Sequence, residues 1–207
     1  MGSSAKLAFR AGIVVIFSLC GFHSSRAAQV VLSDPLTSWP LSFGAQGSAV
    51  MLKNGAVHIT LTGSSADWET YPGFNFTDMD ASITITPQVA TGSVAGLIFW
   101  ASGPSDFVVF QVADPNGTFG VSRRISANGG SWQTIVPFTQ NAAIKTGAAN
   151  TLRVVTQGNS ASLYINGQSI GSVPIQAPAG GGTVGFEGEG QGTQPADYVF
   201  SNLSVSQ

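Results

Sequence analysis

The stretch Asn150–Val173, NTLRVVTQGNSASLYINGQSIGSV, decides the fold. Leu152, Val154, Leu163 and Ile165 are apolar at every second position, with Arg153, Ser162 and Tyr164 between them. A period of two belongs to a strand with one buried face. Gln157, Gly158 and Asn159 part the first run from the second, Asn166-Gly167 turns the chain again, and Ile170–Val173 opens a third. Asn-Gly suits a two-residue type I′ turn, because both central positions need positive φ. Three short antiparallel strands therefore lie side by side. A piece of that size does not bury its apolar face alone, so the rest of the chain has to supply a second layer.

Working outward, further strand candidates come at short intervals: Val30–Leu32, Val50–Leu52, Val57–Leu61, Ala81–Ile85, Val94–Trp100, Phe107–Val112, Phe119–Ile125 and Trp132–Val136 before the hairpins, then Thr183–Glu187 and Tyr198–Val205. Asn54-Gly55, Asn116-Gly117 and Asn128-Gly129 sit between runs as turn signals. Only 9% of the residues are charged, 26 are glycine, and no stretch after Ala28 repeats every 3.6 residues. A hydrophobic content of 43% is too high for a disordered chain. Many strands joined by hairpin turns make a sandwich or a closed barrel. The sandwich is favoured, since Val57, Ile59 and Leu61 alternate with His58, Thr60 and Thr62, the pattern of a sheet with one wet face. No Pro- or Ser-rich linker divides residues 29–207, which read as one all-β, antiparallel two-sheet domain. Gly180–Gly192 is glycine-rich, but Val184 and Phe186 inside it read as strand residues.

The first 28 residues read as a secretory signal peptide. Lys6 and Arg10 form a positive start, Gly12–Phe22 is an apolar run too short to span a bilayer, and Ser25-Arg26-Ala27 offers small residues for cleavage after Ala27 or Ala28. The other readings are an uncleaved anchor and a lipoprotein, though Leu19 before Cys20 is large for a lipid-attachment site. Losing Lys6, Arg10 and Arg26 leaves five of the eight basic residues against ten acidic ones, a net charge of −5. Cys20 leaves too, so the mature chain has no cysteine, and a chain of this length needs no disulfide. An acidic surface argues against nucleic acid and anionic membranes as partners. The expectation is a secreted or periplasmic monomer.

With the strands placed, the mature chain resembles the concanavalin A-like lectin/glucanase jelly rolls, and among them the 3-keto-disaccharide hydrolase-type domain. The resemblance rests on Ala95-Gly96-Leu97-Ile98-Phe99-Trp100, on Leu152-Arg153-Val154 with Leu163-Tyr164-Ile165-Asn166-Gly167, and on Val184-Gly185-Phe186-Glu187-Gly188-Glu189-Gly190 followed by Phe200-Ser201-Asn202. These are motifs of strands and turns, and they imply the jelly-roll sandwich. Ser201 stands where the hydrolase-like members carry arginine, and Ala95-Gly96-Leu97 replaces an Asn-Ser-Gly segment.

Glu187 and Glu189 are the candidate catalytic pair. Two residues apart on a strand, they point to one face about 7 Å apart, a separation at which two carboxyls divide acid and nucleophile or base roles on a sugar. The catalytic strand of laminarinase-type jelly rolls resembles Glu-x-Asp-x-Glu, which this pair lacks. The alternative, a solvated edge strand or a ligand-contacting one, is favoured. Candidate ligand-binding residues are Trp68 and Tyr71 in a polar segment between strands, Trp132, Arg124 and Arg153. Indole and phenol rings stack on a pyranose, and an arginine fork suits a sugar or uronate. Each also has a structural explanation: a ring plugging the end of the sandwich, or an arginine on a wet sheet, as for Arg123. Trp100 lies on a strand apolar on both faces and reads as core. Asp78 and Asp80, with Asp67 and Glu69, have the hard oxygens for calcium, but Asp is also common at strand entry. No other cofactor is expected. His58, on the wet parity of its strand, is the mature chain's one histidine, which argues against triad and zinc chemistry.

The expected function is noncovalent saccharide binding on a concave sheet or its rim. The alternatives are a glycoside or keto-glycoside hydrolase using the Glu pair, and a structural or adhesive envelope module. A face carrying Glu187, Glu189, Trp132 and an arginine together would favour the first two; aromatics scattered through the core would favour the third.

Overall fold

The computed structural model describes residues 28–90, 93–127 and 130–207. Residues 1–27, read from the sequence as part of a signal peptide, and the turn signal expected at Asn128-Gly129 lie outside the described residues. Fourteen strands follow in order: β1 (Val30–Asp34), β2 (Val50–Lys53), β3 (Ala56–Thr62), β4 (Ala66–Thr70), β5 (Asp80–Ala90), β6 (Ser93–Gly103), β7 (Asp106–Ala113), β8 (Thr118–Ile125), β9 (Ser131–Gln140), β10 (Asn150–Gln157), β11 (Ser160–Ile165), β12 (Gln168–Pro174), β13 (Thr183–Gly190) and β14 (Pro195–Ser206). The described helical pieces are single 3-10 turns at Leu41–Phe43 and Asp114–Asn116. No helix among the described residues is long and apolar enough to cross a membrane.

The strands form two antiparallel sheets packed as a jelly-roll sandwich. One runs β12-β11-β10-β5-β14-β3-β2, with β1 also paired to β14; the other runs β4-β13-β6-β7-β8-β9. The deciding stretch forms β10, β11 and β12. Leu152 lies opposite Ile165 and Val154 opposite Leu163, and all four side chains are buried. Asn166 and Gly167 have φ of 52° and 80°, both left-handed, as a type I′ turn requires. Open space surrounds Gly167, so Gly167→Val changes backbone strain without a clash. It is expected to lower stability by about 1–3 kcal/mol, read as a shift of the urea midpoint. Asn54-Gly55 repeats the pattern at φ of 53° and 75°. Asn116-Gly117 does not: Asn116 ends a 3-10 turn and Gly117 caps it.

The core fills the space between the sheets. Ile59, Ile83, Ile85 and Phe200 from one sheet meet Leu97, Phe99, Phe110 and Phe186 from the other, with Phe186 stacked on Phe200 at 4.6 Å. Trp100 is buried as expected, its indole N–H donating to the Thr77 carbonyl at 2.8 Å. Several strands run longer than their apolar cores suggest. β5 continues through Pro87, which has no N–H to give, because the pairing with β14 slips by a bulge next to Tyr198.

Three expectations need correction. The polar segment around Trp68 is an edge strand, β4, paired to β13. Its five residues include three polar ones, so it shows no apolar alternation. The Glu-bearing strand β13 is not a solvated edge, since β4 covers one side of it and β6 the other. His58 has outward parity yet is nearly covered, its Nδ1 2.8 Å from Asp197 Oδ1.

Candidate functional site

A second apolar cluster lies on the outer face of the six-stranded sheet, away from the core. It comprises Ile98 and Ala101 of β6 and Phe107 and Val109 of β7, with Trp68 packed against it. This explains why β6 and β7 are apolar on both faces. Water does not cover the outer face here; long side chains from β4, β8 and β9 do.

Two rows of residues build this cover. In the first, Trp68 of β4 lies opposite Glu187 of β13, which lies opposite Gly96 of β6 and then Gln111 of β7. Gln111 reaches across β6 and donates from Nε2 to Glu187 Oε1. Gly96 makes that reach feasible: a Cβ there would stand 2.7 Å from the Phe110 carbonyl oxygen and 3.0 Å from Gln111 Cγ. In the second row, Phe107 of β7 lies opposite Arg124 of β8, which lies opposite Trp132 of β9. The Arg124 guanidinium sits 4.7 Å from the centre of the Trp68 ring and 5.4 Å from that of Trp132. Phe107 meets both indoles edge-on, at 5.4 Å and 5.9 Å. The Trp68 indole N–H donates to the Pro104 carbonyl at 2.7 Å, which fixes its ring. Gly130 leaves room for the guanidinium, since a Cβ there would lie 2.7 Å from Arg124 Nη2.

The electrostatics follow from burial. Glu187 is fully buried, and desolvation pushes its carboxyl from 4.5 up to about 8. The Gln111 hydrogen bond opposes this, Glu189 adds to it, and the Arg124 charge opposes it. Burial raises the Glu189 carboxyl as well. At neutral pH Glu187 is therefore a neutral acid beside a charged arginine, and no ion pair joins the two. Two buried polar atoms of this face have no hydrogen-bond partner: Glu187 Oε2 and Arg124 Nε. A cavity of about 220 Å³ is lined by Ser64, Ser65, Ala66, Trp132, Glu189 and Gly190. Trp132 is 39% exposed and forms one wall of it from the edge strand β9.

Five candidates from the sequence thus share one face: Trp68, Arg124, Trp132, Glu187 and Glu189. Tyr71 and Arg153 do not. Tyr71 is 3% exposed within the core, edge-on to Phe43 at 4.7 Å, and its hydroxyl donates to Asp34 Oδ2 at 2.8 Å. It has no ring face free for a ligand. Arg153 is on the opposite sheet, where Nε and Nη2 donate to both Asp80 oxygens at 2.6 Å and the guanidinium lies over Tyr164. The four acids read as calcium ligands are divided between sheets. Asp67 and Glu69 are on β4, while Asp80 pairs with Arg153 and Asp78 accepts the Gly158 amide N–H at 2.7 Å. Among the described residues no three His, Cys, Asp or Glu side chains gather as a metal site. A larger cavity, about 440 Å³, borders Asp78, Asp80 and Gln207. It contains no aromatic wall and its Asp80 is already paired.

Gln111 is the residue that the sequence reading missed. Its signal was present, because it is the single uncharged polar side chain in the run Phe107–Ala113. A polar group inside a strand buried on both faces needs a hydrogen-bond partner.

In sequence, no family model and no curated protein matches the chain. Solved structures match in fold. A carbohydrate-binding module, CBM66 of Bacillus subtilis, is 12% identical, with a TM-score of 0.60 over 76% of this chain and 91% of that one. A beta-glucanase of Bacillus licheniformis is 10% identical, with a TM-score of 0.58 over 88% of this chain and 100% of that one. The catalytic domain of an endo-1,3-beta-glucanase (laminarinase) of Thermotoga petrophila is 10% identical, with a TM-score of 0.60 over 87% and 98%. Likeness at this identity is one of fold: the chain shares the concanavalin A-like jelly roll.

Proposed function

We propose that this chain is an exported saccharide-binding domain whose ligand is held noncovalently on the outer face of the six-stranded sheet. The observation that carries this reading is the meeting of Trp68, Trp132 and Arg124 with Glu187, Glu189 and Gln111 on that one face. Indole faces take the apolar side of a sugar ring, and the polar groups between them take its hydroxyls. The carbohydrate-binding module and the glucanases that share the fold support the substrate class.

A second reading, hydrolysis of a glycoside or 3-keto-glycoside, draws on the Glu187–Glu189 pair. A carboxyl pushed up to about 8 stays protonated at neutral pH, as a general acid must. Against it, Glu187 is fully buried and one of its oxygens is engaged by Gln111. Binding is therefore favoured over turnover.

A glycan array run in parallel with reducing-sugar release separates the two. Trp132→Ala removes a stacking wall and is expected to weaken binding by about 1–3 kcal/mol while the domain stays folded. Glu187→Gln is expected to change affinity modestly, with no sugar release by the wild type. Sugar release abolished by Glu187→Gln would establish the hydrolase instead. Binding to no glycan at all would leave the structural or adhesive module.

A further inference from the structure

We propose that the glycan is held by a single neutral sugar unit at its end, stacked on Trp132 with two adjacent hydroxyls donating to the Glu189 carboxylate. The inference rests on the saccharide-binding reading above and narrows it to recognition of a chain end.

Its basis is the cavity between β4, β13 and β9. Ser64, Ser65, Ala66, Trp132, Glu189 and Gly190 line it, so an indole and a carboxylate border one space. Sites for drug-sized ligands take roughly 300–1,000 Å³. A space of about 220 Å³ holds one ring and not a run of them.

The walls are free for a ligand on the cavity side. The Arg124 guanidinium lies over Trp132 at 5.4 Å, and Arg124 does not line the cavity. The indole therefore borders the cavity with the side turned away from that cation. Trp68 lies beyond Arg124 and does not line the cavity either, so no second ring continues the platform. Among the described residues no donor engages the Glu189 carboxylate. Neither of its oxygens is among the sealed, partnerless atoms that include Glu187 Oε2, so both are reachable from the cavity. Ala66, directly opposite Glu189 on β4, is small enough to leave the space above it open.

The other side is closed. Ser64 Oγ donates to the Gly192 carbonyl and accepts the Gly192 N–H, at 3.3 Å and 3.0 Å, and the Gly190 N–H donates to the Ser65 carbonyl at 2.8 Å. These bonds tie the Ser64–Ser65 corner across the end of β13. With that corner on one side and the Trp132–Arg124–Trp68 stack on the other, neither side continues as a track for a second unit.

The same walls select a neutral sugar. Glu189 is the one charged residue lining the cavity. A carboxylate accepts hydrogen bonds and donates none. Two hydroxyls on neighbouring carbons match its two oxygens, whereas a sugar carrying its own carboxylate is repelled.

The test is ligand-observed NMR titration of the wild-type protein with the methyl glycosides of glucose, galactose, mannose, xylose and fructose, with tetrasaccharides of the same sugars, and with cyclic glucans, which have no end. One methyl glycoside is expected to bind, its tetrasaccharide to bind within about threefold of it, and no cyclic glucan to bind. Removing either of two adjacent hydroxyls from that glycoside is expected to cost about tenfold or more, the usual worth of a hydrogen bond to a charged group. Glu189→Gln is expected to lose about tenfold as well. Ala66→Leu, which fills the space, is expected to lose binding with its circular dichroism spectrum unchanged. Affinity that climbs steeply from glycoside to tetrasaccharide, binding of a cyclic glucan, or undiminished binding by Glu189→Gln overturns this inference and leaves the saccharide-binding reading standing. Binding of no glycan overturns both.

Discussion

Glu187→Gln is expected to stabilise the protein by roughly 3–5 kcal/mol at pH 8–9 and to leave it almost unchanged near pH 4. In the folded protein burial pushes the Glu187 carboxyl from 4.5 up to about 8. Between those values the native state holds a proton that the unfolded chain has released, so stability falls as pH rises across that window. Each unit of displacement is worth about 1.36 kcal/mol, which sets the size of the effect. The glutamine side chain has the shape of the neutral acid, accepts the same Gln111 hydrogen bond and has no proton to lose. Other acids also shape the wild-type profile. Burial pushes Glu69 up to about 7 and raises Asp114, so both add to the alkaline decline. Asp197 is held low, against its own burial, by His58 and then Lys53; its contribution is present above its ordinary value and is lost as the acid limb is entered. These groups are common to both proteins and cancel in the difference. Urea melts of the two proteins at pH 4, 6, 8 and 9 check the result, and equal midpoints at pH 9 would show that Glu187 titrates normally.

Gly185→Ala is expected to cost about 3 kcal/mol and to abolish glycan binding, although it adds a single methyl group. A Cβ at Gly185 would lie 2.0 Å from the Glu69 carbonyl oxygen and 2.9 Å from Thr70 Cα, both of them backbone atoms of β4. Backbone does not turn aside as a side chain does, and overpacking of this kind costs about 1–3 kcal/mol or more. The edge strand β4 has to move away from β13, and Trp68 moves with it, away from Arg124. Gly47→Ala is the control. The nearest atom to its Cβ would be 3.8 Å away, so it is expected to melt within about 0.5 kcal/mol of the wild type. A Gly185→Ala protein with an unshifted urea midpoint would contradict the close approach of β4.

The stretch around Gly185 shows why part of the site was readable and part was not. Glu187 and Glu189 share a face because strand side chains alternate, a local fact that a sequence carries in full. Their environment is not local. Glu187 reads as an exposed acid until β4 and β6 are placed on either side of it and Trp68, Arg124 and Trp132 above it. Trp68 and Tyr71 stand three positions apart and have opposite fates, one on the outer face and one in the core. Two residues an odd number apart in a strand face opposite ways, but with Ala66–Thr70 read as a polar connection that rule had nothing to act on.

Local sequence was enough to favour a two-sheet antiparallel sandwich over a closed barrel. Alternation over Leu152–Ile165 and left-handed Asn-Gly turns are consequences of backbone sterics within a few residues, and they hold wherever the strands come to rest. It also set which aromatic and charged side chains were available to a site. Tertiary structure alone decided which of them meet. Arg124 and Arg153 look alike in the sequence, as two arginines on strands, yet one is held between two indoles and the other closes on Asp80. That difference comes from strand order and register between segments far apart in the chain, set when two sheets bury their apolar faces against each other. The buried acid beside an unpaired arginine exists only where β4, β13, β7, β8 and β9 have come together.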